Sequence, residues 1–264
     1  MPAAQSLENK EWQLAEEAAQ DEPEVSAATR KLRMLRALHC GNKYERAARA
    51  QGATVIAGVD EVGRGALFGP VVAAAVVLPP DCRIPGLRDS KQLTAADRER
   101  LAAVVEKKAI AIAIDEASVE VIDRVNIYQA TRIAMAAAVS RLPLAADHLP
   151  GMHLLVDAMR LDLPCPQTSI VYGDSLSISI AAASVVAKVY RDRRMRELDL
   201  EYPGYGLAAH KGYSTPQHLA ALERLGPCPL HRKSFGPVMR ASLPQASSIQ
   251  NSLLWADCPR SGEG

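Results

Sequence analysis

Residues 55–78 read VIAGVDEVGRGALFGPVVAAAVVL. An apolar run from Val55 to Val59 closes on two adjacent carboxylates, Asp60 and Glu61. Gly63, Gly65 and Gly69, with Arg64 among them, separate it from a second apolar run. Both runs are short, β-branched or alternating, and bounded by Gly, Pro or charge, which marks strands rather than helices. The stretch therefore predicts a strand, a glycine loop and a second strand, with two acids at the exit of the first. Neighbouring residues in a flat strand face opposite ways, so Asp60 and Glu61 share a site only if the strand bends or ends there. Gly63 and Gly65 give the chain that freedom.

Working outward, a third strand is expected in AIAIAID, residues 109–115, and helices near 116–124 and 126–141. Two more strands follow in MHLLVDA (152–158) and TSIVYGD (168–174), then a long helix from about Ser175 to Leu200, stopped by Pro203 and Gly204. A further helix, TPQHLAALERL, has Thr215 as N-cap and Pro216 at its first position. After Pro237 the chain turns polar and is expected to fray. Three strands in succession, then alternating strand and helix, predict an α/β fold with a mixed sheet covered by helices.

The 264 residues, 48% of them hydrophobic, suffice for one sizeable core, and aromatics at 4% mean an interior of small side chains. Five cysteines at irregular spacing contain no paired C-x-x-C, which suits a reducing compartment. No stretch has the length and apolarity of a membrane span, and the N-terminus lacks a secretion pattern. The expected location is cytoplasmic. Net charge is +1, but unevenly spread: residues 1–29 hold seven acids against one lysine, whereas residues 30–49 hold seven basic residues against Glu45 alone. Lys188 to Arg196 is basic again. Such stripes track a phosphate backbone or are simply solvated helix faces. The segmentation follows: an acidic leader (1–29) expected to be disordered, a short basic helical appendage (30–54), a catalytic domain that includes C-terminal helices (55–241), and a C-terminal tail (242–264) also expected to be disordered, a small docking patch at Leu253, Leu254 and Trp255 being the other reading.

Asp60, Asp157 and Asp174 each fall at or just after the C-terminal end of a predicted strand, the rim where open α/β sheets form ligand sites. One acid in such a place is ordinarily an N-cap or a turn residue. Three, one of them doubled by Glu61, suggest a shared charge that must be neutralised, because an unpaired buried carboxylate costs several kcal/mol. Hard divalent cations fit, since they prefer oxygen ligands and need only a few carboxylates. Competing glycine-loop readings fail: Gly58 and Gly63 have P-loop spacing but lack the following Lys-Ser/Thr, and Gly63, Gly65 and Gly69 miss the dinucleotide fingerprint by one residue. No G-x-S-x-G elbow is present, the six histidines lack metal-ligand spacing, and Cys228 with His231 in CPLH reads as structural.

The segments GVDEVGRGALFGPVVAAAVVL, DSKQLT, LLVDAM, GDSLSISIAAASVVAKVYRD, YPGYGLAAHKGYSTPQH and HRKSF, in that order, resemble the bacterial type 2 ribonucleases H, the ribonuclease HII family, over about residues 55–240. LHCGNKYERAARAQG resembles the leader that many members carry. The resemblance implies an RNase H-like, mixed five-stranded sheet flanked by helices, with a C-terminal helical part. It also implies cleavage, dependent on Mg²⁺ or Mn²⁺, of the RNA strand of RNA/DNA hybrids and of single ribonucleotides in duplex DNA. Two ions are expected during catalysis. By motif, Asp60, Glu61, Asp157 and Asp174 are the catalytic, metal-binding acids. Gly63, Arg64, Gly65 and Tyr213 contact the ribose and the junction with the next deoxynucleotide, and Lys91 and Lys188 contact phosphates. Tyr213 as a packing aromatic and Lys188 as a solvated helix residue remain open. The sequence departs from the family pattern at Ala66 and Phe68 in the first motif and at Ala158, where glycine is common. A ribonuclease HIII would need a platform domain, for which 54 residues before the first strand leave no room. Another nuclease of the same superfold or a non-catalytic nucleic-acid module are the other readings. A monomer is expected.

Overall fold

The computed structural model describes residues 40–87, 93–145 and 150–243, together with residues 26, 29, 38 and 90. Lys91, most of the acidic leader and the C-terminal tail with its Leu-Leu-Trp patch lie outside the described residues.

A five-stranded mixed sheet has the spatial order β3-β2-β1-β4-β5. Its strands are β1 (Val55–Val62), β2 (Val71–Val77), β3 (Ala111–Ala117), β4 (Met152–Asp157) and β5 (Gln167–Ile170). β1, β2 and β3 form an antiparallel meander, while β4 and β5 run parallel to β1. The helices are α1 (Lys43–Ala50), α2 (Ala95–Lys108), α3 (Val119–Val125), α4 (Ile127–Ser140), α5 (Gly173–Leu176), α6 (Ile178–Glu201), α7 (Leu207–His210), α8 (Pro216–Leu225) and α9 (Gly236–Ala241).

The period of two in the strands divides the interior into layers. Val71, Ala73, Ala75 and Val77 of β2 join Ala57 and Val59 of β1 against Ala130, Ala134, Met135 and Ala138 of α4. On the opposite face Ala74 and Val76 pack with Leu101 and Val105 of α2 and with Ala181, Ala182 and Val185 of α6. The scarcity of aromatics has a geometric reason here. A Cβ on Gly58 would lie 2.1 Å from the Ser179 carbonyl carbon, so α6 crosses β1 almost backbone to backbone.

Three local expectations are corrected. Helix α2 has no counterpart in the sequence reading, although Thr94 caps it by accepting from the Asp97 amide and Leu101, Ala102 and Val105 form its buried stripe. The predicted strand 168–174 ends at Ile170: Tyr172 takes a left-handed conformation and the chain coils into α5, breaks at Ser177 and restarts as α6. Beyond Pro237 the chain does not fray at once, because α9 buries Val238 against Leu67 and Leu222.

Helix α1 is docked rather than pendant. Gly41 bridges Ser177, and Glu45 accepts from the Ser177 hydroxyl at 2.7 Å and the Ser179 amide at 3.0 Å. A carboxylate thus caps the positive end of the 24-residue α6.

Candidate metal centre and ribose-reading loops

Asp60 is not the last residue of β1. Its antiparallel pairing with β2 runs on to Val62, whereas the parallel pairing with β4 stops at Val59↔Val156. The β4 side of Asp60 and Glu61 is therefore open, and the site forms in this gap. Asp60 is 4% exposed and lies on the α6 side of the sheet with Asp157, the last residue of β4.

Asp60 and Glu61 share the site although the strand neither ends nor breaks between them. The Asp60 carboxylate accepts from the Glu61 amide at 2.7 Å, and the carboxylates of both residues reach the same site. One oxygen each from Asp60, Glu61 and Asp157 lie mutually within 4.8 Å. Asp157 is held in turn: its Oδ1 accepts from the Gly173 amide at 2.8 Å, and a Cβ at Gly173 would meet that oxygen and Ile180.

Asp174, on α5 and 4% exposed, is not within that mutual distance. Its charge nevertheless reaches Asp60. Burial pushes the Asp60 carboxyl well above the usual range, and Asp157, Glu61 and Asp174 push it further, while a hydrogen bond from Ser184 works the other way. Ser184 on α6 also pairs with Ser90 at 2.9 Å, a link from the DSK segment to the acids that sequence reading missed. Burial, with the nearby Glu45 and Asp174 adding to it, pushes the thiol of Cys40, before α1, up to about 12. An all-carboxylate donor set, half-buried and mutually repelling, fits a hard divalent cation and not zinc, which favours nitrogen and sulfur.

Directly after Glu61 the chain enters the glycine loop. Gly63 has φ 94° and a Cβ there would strike the Arg191 side chain at 2.3 Å, so the position admits glycine only. The loop pairs with the Lys211-Gly212-Tyr213 turn: Ala66 bridges Tyr213, and the Leu67 amide donates to the Gly212 carbonyl at 2.8 Å. The two segments singled out for ribose contact are thus one surface. Arg64 and Gly65 are exposed on it. Lys188 and Arg191 stand over the Tyr213 ring at 5.8 and 5.5 Å. Lys188 is also bonded to Asp192 at 2.8 Å and half-buried, with its pKa lowered chiefly by that burial; it is not a freely solvated helix residue. Phe68 is fully buried, edge-on to Tyr202 and His231, so it packs under the loop and does not line the surface.

The histidines without ligand spacing have a structural use. His210 stacks on His218 at 4.4 Å, and His218 Nε2 meets His231 Nε2 at 3.2 Å. His231 Nδ1 accepts from the Cys228 amide, which accounts for the CPLH fragment as a turn.

Comparison with known proteins agrees with this geometry. The family model described as Ribonuclease HII matches residues 57–238. The ribonuclease HII of Koribacter versatilis (strain Ellin345) is 55% identical over 221 residues, 84% of this chain and 85% of the relative. That of Bacillus thuringiensis (strain Al Hakam) is 55% identical over 197 residues, 75% of each. Among solved structures, ribonuclease H2 from Pyrococcus horikoshii OT3 aligns with a TM-score of 0.60 at 24% identity, covering 72% of this chain and 97% of that one. Bst-RNase HIII, solved in complex with Mn²⁺, aligns with a TM-score of 0.55 at 20% identity over 74% of this chain and 71% of its own; both show the fold alone. The mixed sheet is of the RNase H-like type, and this chain belongs to the ribonuclease HII family, whose metal-dependent endoribonucleases act on RNA/DNA hybrids.

Proposed function

We propose that the protein hydrolyses the phosphodiester on the 5′ side of ribonucleotides, both in RNA/DNA hybrids and at single ribonucleotides embedded in duplex DNA, leaving 5′-phosphate and 3′-hydroxyl ends. The observation that carries this reading is the junction of two devices: a carboxylate cluster at Asp60, Glu61 and Asp157 runs within two residues into a glycine loop paired with Tyr213.

Asp60, Glu61, Asp157 and Asp174 would hold Mg²⁺ or Mn²⁺, two ions during catalysis. Such ions, when bound, supply an activated water and neutralise the leaving oxygen. The protein's own part is positional. Asp60, as deeply buried as Asp174, would be the acid shared by both ions, with Glu61 and Asp157 on one side and Asp174 on the other. The 2′-hydroxyl is the atom group that separates RNA from DNA at a site, and backbone groups of Gly63, Arg64 and Gly65, with Tyr213 opposite, are suited to read it. Lys188 beside Tyr213 supplies charge for a phosphate, and Lys91 is assigned the same role by motif. The carboxylates and both reading segments come from one chain, which supports a monomer as the working unit.

The test is cleavage, in Mg²⁺ and in Mn²⁺, of three duplexes: all DNA, DNA with one ribonucleotide, and a long RNA/DNA hybrid. Scission of the second and third 5′ to ribonucleotides, with the first intact, is expected. Cutting of the all-DNA duplex, or no cutting of any, overturns the proposal.

A further inference from the structure

Arg191 and Arg232 belong to no motif role assigned above, yet they are the two largest fully buried side chains among the described residues. None of the ion pairs among those residues involves either. Their hydrogen bonds go to main-chain carbonyls instead. Arg191 donates to Lys211 at 2.8 Å and Phe68 at 3.2 Å; Arg232 donates through Nε to Gly69 at 2.9 Å and through Nη1 to Arg64 at 2.8 Å. Burial and the Arg191 charge pull the Arg232 pKa down to about 9, so it stays charged at neutral pH. Two like charges buried with no carboxylate in ion-pair contact cost stability that apolar residues of similar size would not. Their geometry accounts for their presence.

Every peptide bond among the described residues is trans, so a carbonyl and the amide hydrogen of the next residue point in opposite directions. Arg232 draws the Arg64 carbonyl inward. The Gly65 amide, on the same peptide plane, therefore points away from the interior, at an exposed position where a Cβ would meet nothing within 4 Å. Arg191 meanwhile ties the segment after the glycine loop to the turn bearing Tyr213.

We propose that Arg232 is a positioning residue for ribonucleotide recognition: its planar fork fixes the Arg64–Gly65 and Gly69 peptides so that the Gly65 amide is presented as a donor to an oxygen of the ribose-phosphate backbone. This rests on the ribonucleotide-directed reading above. A lysine keeps the charge but, as a point donor on a flexible stem, does not reproduce a rigid two-carbonyl fork, so Arg232→Lys separates orientation from charge.

The experiment measures equilibrium binding, with Ca²⁺ replacing Mg²⁺ to slow turnover, of two duplexes differing only in one ribose against deoxyribose, alongside the melting temperature. The wild type is expected to prefer the ribose duplex. Arg232→Lys is expected to lose about fivefold of that preference, the worth of one hydrogen bond, with affinity for the all-DNA duplex nearly unchanged. Gly65→Pro, which removes the amide hydrogen and leaves Arg232 in place, is expected to lose the same preference, and it carries the test if the lysine variant does not fold. Preference retained in either folded variant, or equal loss of affinity for both duplexes, overturns the inference. If the wild type itself shows no preference, the ribonucleotide reading fails and takes this inference with it, an outcome distinct from a preference that survives substitution.

Discussion

The main-chain amide of Glu61 donates to the side chain of the residue before it, Asp60, at 2.7 Å. The Asp60 carboxylate so held lies with those of Glu61 and Asp157, one oxygen of each within 4.8 Å of the others, and negative charge is concentrated where the sheet opens. Its burial raises the Asp60 pKa strongly, and the neighbouring acids add to it. A carboxyl whose folded pKa is raised favours the folded state when protonated and opposes it once pH passes the unfolded value near 4. At neutral pH the metal-free protein is therefore strained at Asp60.

Asp60→Asn is accordingly expected to raise the melting temperature of the metal-free protein by a few degrees while abolishing cleavage. Adding Mg²⁺ or Mn²⁺ should stabilise the wild type by mass action and the variant much less. Scanning calorimetry with and without the ions, beside a cleavage assay, checks all three. A variant less stable than the metal-free wild type would contradict the account of charge strain.

Gly58→Ala is expected to be severely destabilising. The new methyl would overlap the backbone at Ser179 and Ile180, at 2.1 to 2.5 Å, and a helix cannot yield as a flexible side chain does. Overpacking of this kind costs about 3 kcal/mol or more. Denaturant titration should show it, and because α6 carries Ser184, activity per folded molecule should fall too.

Ala158 follows Asp157 with φ 48°, in the left-handed region. Alanine pays about 1 kcal/mol there and glycine does not. Ala158→Gly should thus raise stability slightly, by less than about 1 kcal/mol after the greater chain entropy of glycine is counted, with cleavage unchanged. A fall in melting temperature would mean that the alanine methyl has a packing role.

The buried histidines predict acid sensitivity. Burial, reinforced by the neighbouring His218, lowers His231 to about 4, and burial lowers His218 as well. In the unfolded chain both titrate near 6.5. Between those values the unfolded state binds more protons, so stability falls as pH drops from about 6.5 toward 4 and is fully present above that window. His231→Gln should be less stable at pH 7.5, because the Cys228 amide loses its acceptor, yet show a shallower decline on acidification. Melting temperatures across pH 4–8 measure both slopes.

Much of this protein was legible before any coordinates. Two apolar runs flanking a glycine loop dictate strand, loop and strand because hydrophobic periodicity and backbone freedom are local properties. The types and spacing of Asp60, Glu61 and Asp157 likewise pointed to a shared acidic cluster, and the fold brings those three carboxylates together. Helix α2 escaped because its charged residues mask a narrow buried stripe, Leu101, Ala102 and Val105, that only packing against the sheet reveals.

What the chain's order of residues does not contain is which distant groups meet. The early end of β4 pairing opens the gap at Asp60, the break at Ser177 sets Asp174 on its own helical turn, and the fold carries Ser184, Arg191 and Arg232 beneath the acids, the glycine loop and the Tyr213 turn. Serine and arginine in a helix or a loop read locally as solvated residues. Only the tertiary structure removes them from water, and burial is what converts an ordinary hydroxyl or guanidinium into a directional hold on the main chain or on a buried carboxyl group.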